Sequence, residues 1–200
     1  MAQPKTEQVN ELLYQALETE LGGVQVYENA IKCAINEDLK KEWTKYLEET
    51  RKHVEIVTHV FDSIGLDPNV ETLGRQVLRE KAATHVKVMQ MALSAGDPSA
   101  AQLVAAESVV EAETKDHQNW ELIGTLSEEI TGDVKKFLKE AYDEVSEQED
   151  EHLYHTMGWA RELWIESLGL KAVLPPPEEK KDVKSAIGQS RAEQARGDFK

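Results

Sequence analysis

The segment LKEAYDEVSEQEDEHLYHTMGWAREL, residues 138–163, decides the fold, because its large apolar residues recur in steps of three and four. That spacing predicts an α-helix with one buried face, of the kind that lines the interior of a helix bundle. Glu149 and His152 interrupt the buried face at its centre. Because an isolated buried charge is costly, these side chains require a partner inside the bundle. The stripe consists of Leu138, Tyr142, Val145, Glu149, His152, Thr156, Trp159 and Leu163.

Three further segments, residues 13–31, 46–60 and 103–120, repeat this pattern, each with a glutamate inside an apolar stripe. The polar residues on these three stripes include, in chain order, Glu20, Glu49, His53 and Glu113. Counted from the predicted helix starts, the polar positions lie about 21–27 Å along each helix, near its middle. Side-by-side packing of four such helices therefore brings the polar groups to one level.

Capping and turn residues divide the chain into five helical segments. Asn36 is the predicted N-cap of the second helix, Asp97 that of the fourth, and the fifth begins at Thr131 or Asp133. No segment alternates with a period of two, so no strand is predicted. We therefore predict an all-α fold, a four-helix bundle with an extra helix between two helical hairpins. The predicted helices span residues 6–34, 37–64, 72–94, 98–126 and 131–168.

The composition changes after Leu174, where three prolines precede a charged segment with few large apolar residues. We therefore predict a helical domain over residues 1–172 and a flexible, solvated tail over residues 173–200, with a partner-docking arm as the alternative for the tail. Most acidic residues outside the stripes, among them Glu18, Glu28 and Glu111, are interpreted as solvated.

The formal net charge of −15 argues against nucleic acid and anionic membrane surfaces as partners, because both are polyanions. Cys33 is the only cysteine, so the chain holds neither a disulfide framework nor a multi-thiolate metal site. The first residues lack the pattern of a secretory signal, and no apolar run is long enough to span a membrane. We expect a cytoplasmic protein.

Carboxylates at one level of a bundle repel one another strongly unless cations lie between them. Two divalent cations would balance four glutamates, and neutral imidazoles would complete the coordination. Oxygen and imidazole ligands without thiolates suit iron, manganese or zinc. The predicted metal ligands are Glu20, Glu49, His53, Glu113, Glu149 and His152.

Residues 6–168 resemble the ferritin-like di-metal carboxylate superfamily, which includes rubrerythrins and bacterioferritins. There, two helices each supply one Glu and two others each supply Glu-x-x-His. The second half of this chain matches closely, with Glu113 followed by EDEH at 149–152. The first half has Glu20 and His53, but Thr50 stands where the family has a Glu. Glu49 lies on the same helix face and is the candidate substitute.

The two halves also resemble each other, since LETELGGVQVYE (17–28) aligns with VEAETKDHQNWE (110–121). A duplicated helical hairpin is typical of the ferritin-like fold. A three-helix repeat and a generic up-down bundle remain alternatives. His117 and His155 extend the polar rows, and we interpret both as packing residues with metal ligation as the alternative.

The resemblance implies a di-iron site that oxidises Fe(II) or reduces O2 or peroxide, in the manner of a ferroxidase or a peroxidase. Electrons would come from a separate donor, because one cysteine cannot form a rubredoxin-like module. The resemblance also implies a homo-oligomer. A hydroxylase for an organic substrate, with the extra helix as the wall of a substrate channel, is also open. The non-enzymatic alternative is a degenerate ferritin-like scaffold or stress protein with one or no metals, which acts by helix–helix assembly. Thr50 favours that alternative.

Overall fold

The structure, a computed structural model, describes residues 4–199, and all regular structure in that range is helical. The prediction of an all-α protein is thereby confirmed. The helices are α1 (Thr6–Cys33), α2 (Glu37–Ile64), α3 (Leu73–Ser94), α4 (Pro98–Glu129), α5 (Asp133–Ser167), α6 (Pro177–Lys180) and α7 (Ala186–Gln194), and a 3-10 helix (Ala195–Phe199) follows. None of the helices within residues 4–199 has the length and apolar character needed to cross a membrane.

The predicted helix starts agree with the caps in the structure. The side chain of Asn36 accepts hydrogen bonds from the amides of the first turn of α2, and that of Asp97 does so for α4. Thr72 caps α3 through its hydroxyl group. The fourth helix runs three residues beyond the predicted end at Leu126, to Glu129.

The four long helices form a closed ring, in which α1 contacts α2 and α4, and α5 contacts the same two helices. The interior contains two apolar clusters, one around Trp43, Tyr46 and Trp159 and another around Phe61 and Trp120. The extra helix α3 lies outside the ring, against α1 and α4. Each long helix therefore turns the stripe identified in the sequence toward one shared interior.

A glycine in α1 allows α3 to pack closely. A Cβ atom at Gly22 would lie 2.7 Å from Cβ of Ala82, which no side chain can accommodate without displacing the helix. Glycine inside a helix costs about 1 kcal/mol relative to alanine. Here that cost is offset by the close approach of the two helices.

The segment after residue 172 differs from the solvated tail that the sequence predicts. Residues 173–199 contain α6 and α7, both of which contact α5, and the side chains of Val173 and Val183 are buried. Glu178 is fully buried and accepts hydrogen bonds of 2.7 and 2.9 Å from Arg161 on α5. Arg161 is the partner that allows the carboxylate of Glu178 to be buried. The proposed domain boundary at residue 172 stays a prediction.

Candidate metal centre

Three residues from three helices form the first candidate metal group. Glu20 on α1, His53 on α2 and Glu149 on α5 are buried, and their ligand atoms lie within 4.8 Å of one another. Nδ1 of His53 lies 3.0 Å from Oε1 of Glu149 and 3.5 Å from Oε1 of Glu20. Ligands about 2.1 Å from one ion lie roughly 3–4 Å apart, so these separations fit one shared cation.

The second candidate group consists of Glu113 on α4 with Glu149 and His152 on α5, again buried and within 4.8 Å of one another. Nδ1 of His152 lies 3.7 Å from Oε2 of Glu113 and 3.7 Å from Oε1 of Glu149. Glu149 belongs to both groups. A carboxylate has two oxygens and can contact two ions at once, so the two groups form one site with a shared carboxylate.

Five buried atoms of these residues have no hydrogen-bond partner in the part of the chain that the structure describes. They are Oε2 of Glu20, Glu113 and Glu149, and Nδ1 of His53 and His152. A buried unpaired polar atom costs about 1–3 kcal/mol, so five at one place call for an explanation. Oxygen and imidazole nitrogen atoms without thiolates are the donors that divalent iron, manganese and zinc accept. The residues therefore fit metal ions.

The electrostatics of the metal-free cluster indicate that it retains protons. Burial raises the pKa of Glu20, and burial together with the charge of Glu149 raises the pKa of Glu113 well above its usual range. Burial lowers the pKa of His53, but the carboxylates of Glu20 and Glu149 outweigh it, so that this pKa is raised well above the usual value. Cations can take the place of such protons, so metal binding would release them.

Glu49 lies outside both groups. Its Oε2 atom is 3.0 Å from Nε2 of His152, whereas Nδ1 of that ring faces Glu113 and Glu149. Hydrogen bonding to His152 lowers the pKa of Glu49 against the effect of its half-burial. The structure thus brings five of the six predicted ligands into the two groups, and metal ligation by Glu49 stays a prediction.

Hydrogen-bond partners outside the two metal groups hold His53 and Glu20 in place. Gln148 Oε1 lies 2.8 Å from Nε2 of His53, and Trp120 donates a hydrogen bond of 2.8 Å from Nε1 to Oε1 of Glu20. Thr50 is buried and donates its hydroxyl proton to the carbonyl oxygen of Tyr46. It therefore uses its polar group within its own helix and offers nothing to the cluster.

The structure adds a buried acid that the sequence analysis did not identify. Asp116 lies on α4, one turn after Glu113, and its Oδ1 atom has no hydrogen-bond partner among residues 4–199. Burial, with the charges of Glu20, Glu149 and Glu113, raises its pKa well above the usual range. The sequence could have identified Asp116, because the spacing Glu113-x-x-Asp116 repeats that of Glu149-x-x-His152.

His117 and His155, which extend the polar rows in the sequence, have other partners. Nε2 of His117 lies 2.8 Å from Oδ1 of Asp150. Nδ1 of His155 lies 2.8 Å from Oε1 of Glu42 and 3.2 Å from the hydroxyl group of Tyr46. Neither histidine belongs to the two metal groups found within residues 4–199.

Comparison of the chain with protein-family models, with curated proteins and with solved structures finds no match. The candidate function therefore rests on the residues and their geometry.

Proposed function

We propose that this protein is a ferritin-like metalloprotein that holds two divalent cations, with iron as the native metal, inside its ring of four helices. The observation that carries the proposal is the sharing of Glu149 between two buried groups whose remaining members come from different helices. The unpaired oxygen and nitrogen atoms of these groups support it, because a buried polar atom is costly without a partner and a cation would supply one.

In this proposal, Glu20 and His53 hold one cation, Glu113 and His152 hold the other, and Glu149 contacts both. Bound iron would supply electrons for the reduction of O2 or peroxide. The protein fixes the ligand positions, since every one of these side chains is buried among packed helices. The same packing keeps bulk water away from the cluster.

The proposed activity is oxidation of Fe(II) or reduction of O2 or peroxide. A catalytic cycle beyond one turnover needs a separate electron donor, because the chain contains a single cysteine, Cys33, and that residue is buried. Iron itself is the alternative source of electrons, in which case Fe(II) is the substrate.

The test is the metal content of protein purified without chelators, measured by elemental analysis. We expect about two ions per chain in the unaltered protein. Glu149→Gln should lose both ions, whereas Glu20→Gln and Glu113→Gln should each retain about one. Glu144→Gln is the matched control, because Glu144 is exposed on the same helix as Glu149.

A metal-free protein would contradict the proposal, as would equal losses in the Glu149→Gln and Glu144→Gln variants. Mixing the reduced, iron-loaded protein with O2 and with peroxide in a stopped-flow spectrometer then tests the activity. Faster oxidation of Fe(II) than in solution without protein is the expected result. An unchanged rate would contradict the proposed activity and leave metal binding intact.

Thr50 favours a second candidate function, a ferritin-like scaffold with one or no metals that acts by helix–helix assembly. The residue replaces one carboxylate of the family pattern, and its hydroxyl group bonds to its own helix. The elemental analysis separates the two functions, because the scaffold requires no metal and should fold equally well in the presence of a chelator.

A further inference from the structure

A cleft of about 690 Å³ lies between α3 and the helices α1 and α4, outside the metal groups. Val26 and Leu78 form part of its apolar wall, and both are buried. Leu73 and Val77 stand at its rim, where their side chains are 77% and 46% exposed. A cleft of this size accommodates an organic molecule of drug size, and the exposed rim residues gain from being covered.

Two lysines line the same cleft, Lys81 from α3 and Lys115 from α4. Neither forms an ion pair in the part of the chain that the structure describes, although acidic residues outnumber basic ones by 38 to 23. The ammonium group of Lys115 donates to the neutral amide oxygen of Asn119 instead.

The two lysines line the cleft from different helices, and His85 lines it as well. Burial lowers the pKa of His85, the charge of Glu111 opposes this shift, and the charge of Lys81 adds to it. An anion in the cleft would therefore meet two ammonium groups that lack a carboxylate partner.

The acidic residues that line the cleft do not form ion pairs with Lys81 or Lys115. Glu18 is buried, contrary to its interpretation as solvated, and accepts hydrogen bonds from Arg75 and Arg79. Glu80 is exposed, and the exposed carboxylate of Glu111 lies 3.8 Å from Nδ1 of His85. The lysines therefore remain the unpaired charges of the lining.

We propose that the cleft binds a small amphiphilic organic anion, with its acidic group between Lys81 and Lys115 and its apolar part between α3 and α1. The positive charge of the two lysines favours an acidic group, and the apolar side chains of Val26 and Leu78 favour a hydrocarbon chain. The cleft shares no residue with the two metal groups.

The test is isothermal titration of the full chain with decanoate and with decanol, a neutral molecule of the same length. We expect decanoate to bind at least about tenfold more tightly, because hydrogen bonds to charged groups are stronger than neutral ones. Lys115→Met and Lys81→Met should each weaken decanoate binding by about tenfold and leave decanol binding unchanged. Lys87→Met is the control, since Lys87 is exposed on α3 outside the cleft.

A second pair of variants tests the apolar wall without altering any charge. Val77→Ser should weaken the binding of decanoate, whereas Met91→Ser should not, because Met91 is exposed on the same helix but does not line the cleft. Equal affinities for decanoate and decanol, or unchanged affinity in the lysine variants, would overturn the proposal. So would an absence of binding. The metal content of all these variants should equal that of the unaltered protein, which separates this result from a failure of the proposed metal centre.

Discussion

Oε2 of Glu49 lies 3.0 Å from Nε2 of His152, on the other side of the imidazole from the carboxylates of Glu113 and Glu149. With its proton on Nε2, His152 would donate a hydrogen bond to Glu49 and leave Nδ1 available to a cation. Carboxylates that hydrogen-bond to metal-binding histidines in this way fix the ring orientation and its tautomer. Glu49 is therefore better placed to orient His152 than to replace the glutamate that is absent at Thr50.

Glu49→Gln tests this role. The amide of the variant still reaches His152 but carries no charge, so we expect the protein to keep both ions and to bind one of them about 10–100-fold more weakly. Competition with a chromophoric chelator measures the affinity. Glu48→Gln is the control, because Glu48 is exposed on the same helix. Loss of one whole ion, as expected for Glu113→Gln, would instead make Glu49 a direct ligand.

The fold and most of the cluster follow from one sequence property, the three-four spacing of apolar residues. That spacing determines which helix face is buried, so a glutamate or histidine within it must be buried as well. Glu20, His53 and Glu149 were identified in this way. The level of the polar residues along each helix could be counted from its cap, because the rise per residue is fixed.

The features missed by the sequence analysis depend on contacts between segments distant in the chain. Glu18 lies off the stripe of α1 and is buried because α3 packs over it and supplies Arg75. Glu178 is buried because Arg161 pairs with it from α5. Sequence periodicity describes one helix at a time and cannot specify such partners.

Stability of the metal-free protein should fall as the pH rises. The raised pKa values of Glu20, Glu113 and His53 mean that the folded state retains protons that the unfolded state releases above the usual values of 4.5 and 6.5. Stability decreases with pH wherever the folded state binds more protons. The pKa of Glu179, raised to about 8 by burial and by Glu42, acts in the same direction.

Calorimetry of chelator-treated protein checks this prediction between about pH 5 and pH 8. We expect the Tm to decrease over that range, and the increase in Tm on adding Zn²⁺ or Mn²⁺ to become larger. Glu49, whose pKa is lowered, titrates below this range. The lowered pKa of His85 opposes the trend within it, as one group against the four whose pKa values are raised. A Tm of the metal-free protein that rises with pH would contradict the prediction.

Thr50→Glu restores the carboxylate of the family pattern and should act oppositely with and without metal. In the metal-free protein it adds a carboxylate at a buried position of the helix that carries His53, and we expect a loss of about 1–3 kcal/mol in stability. With metal present the extra ligand should strengthen binding. Unfolding in denaturant with and without Zn²⁺ measures both effects, and destabilisation of equal size in the two conditions would show that residue 50 does not reach the cluster.

Gly158→Ala tests whether the packing of the C-terminal segment on α5 depends on the absence of a side chain at residue 158. A Cβ atom at Gly158 would lie 2.5 Å from Oε2 of Glu178 and 3.0 Å from Cβ of Pro176, so the segment must move. Overpacking of this kind costs about 1–3 kcal/mol, although alanine favours the helix itself. We expect a lower Tm and faster proteolysis after residue 172. Gly197→Ala is the control, because nothing lies within 4 Å of a Cβ atom there. If Gly158→Ala stabilises the protein by the usual helix preference and leaves proteolysis unchanged, the buried contact between Glu178 and Arg161 does not hold the segment in solution.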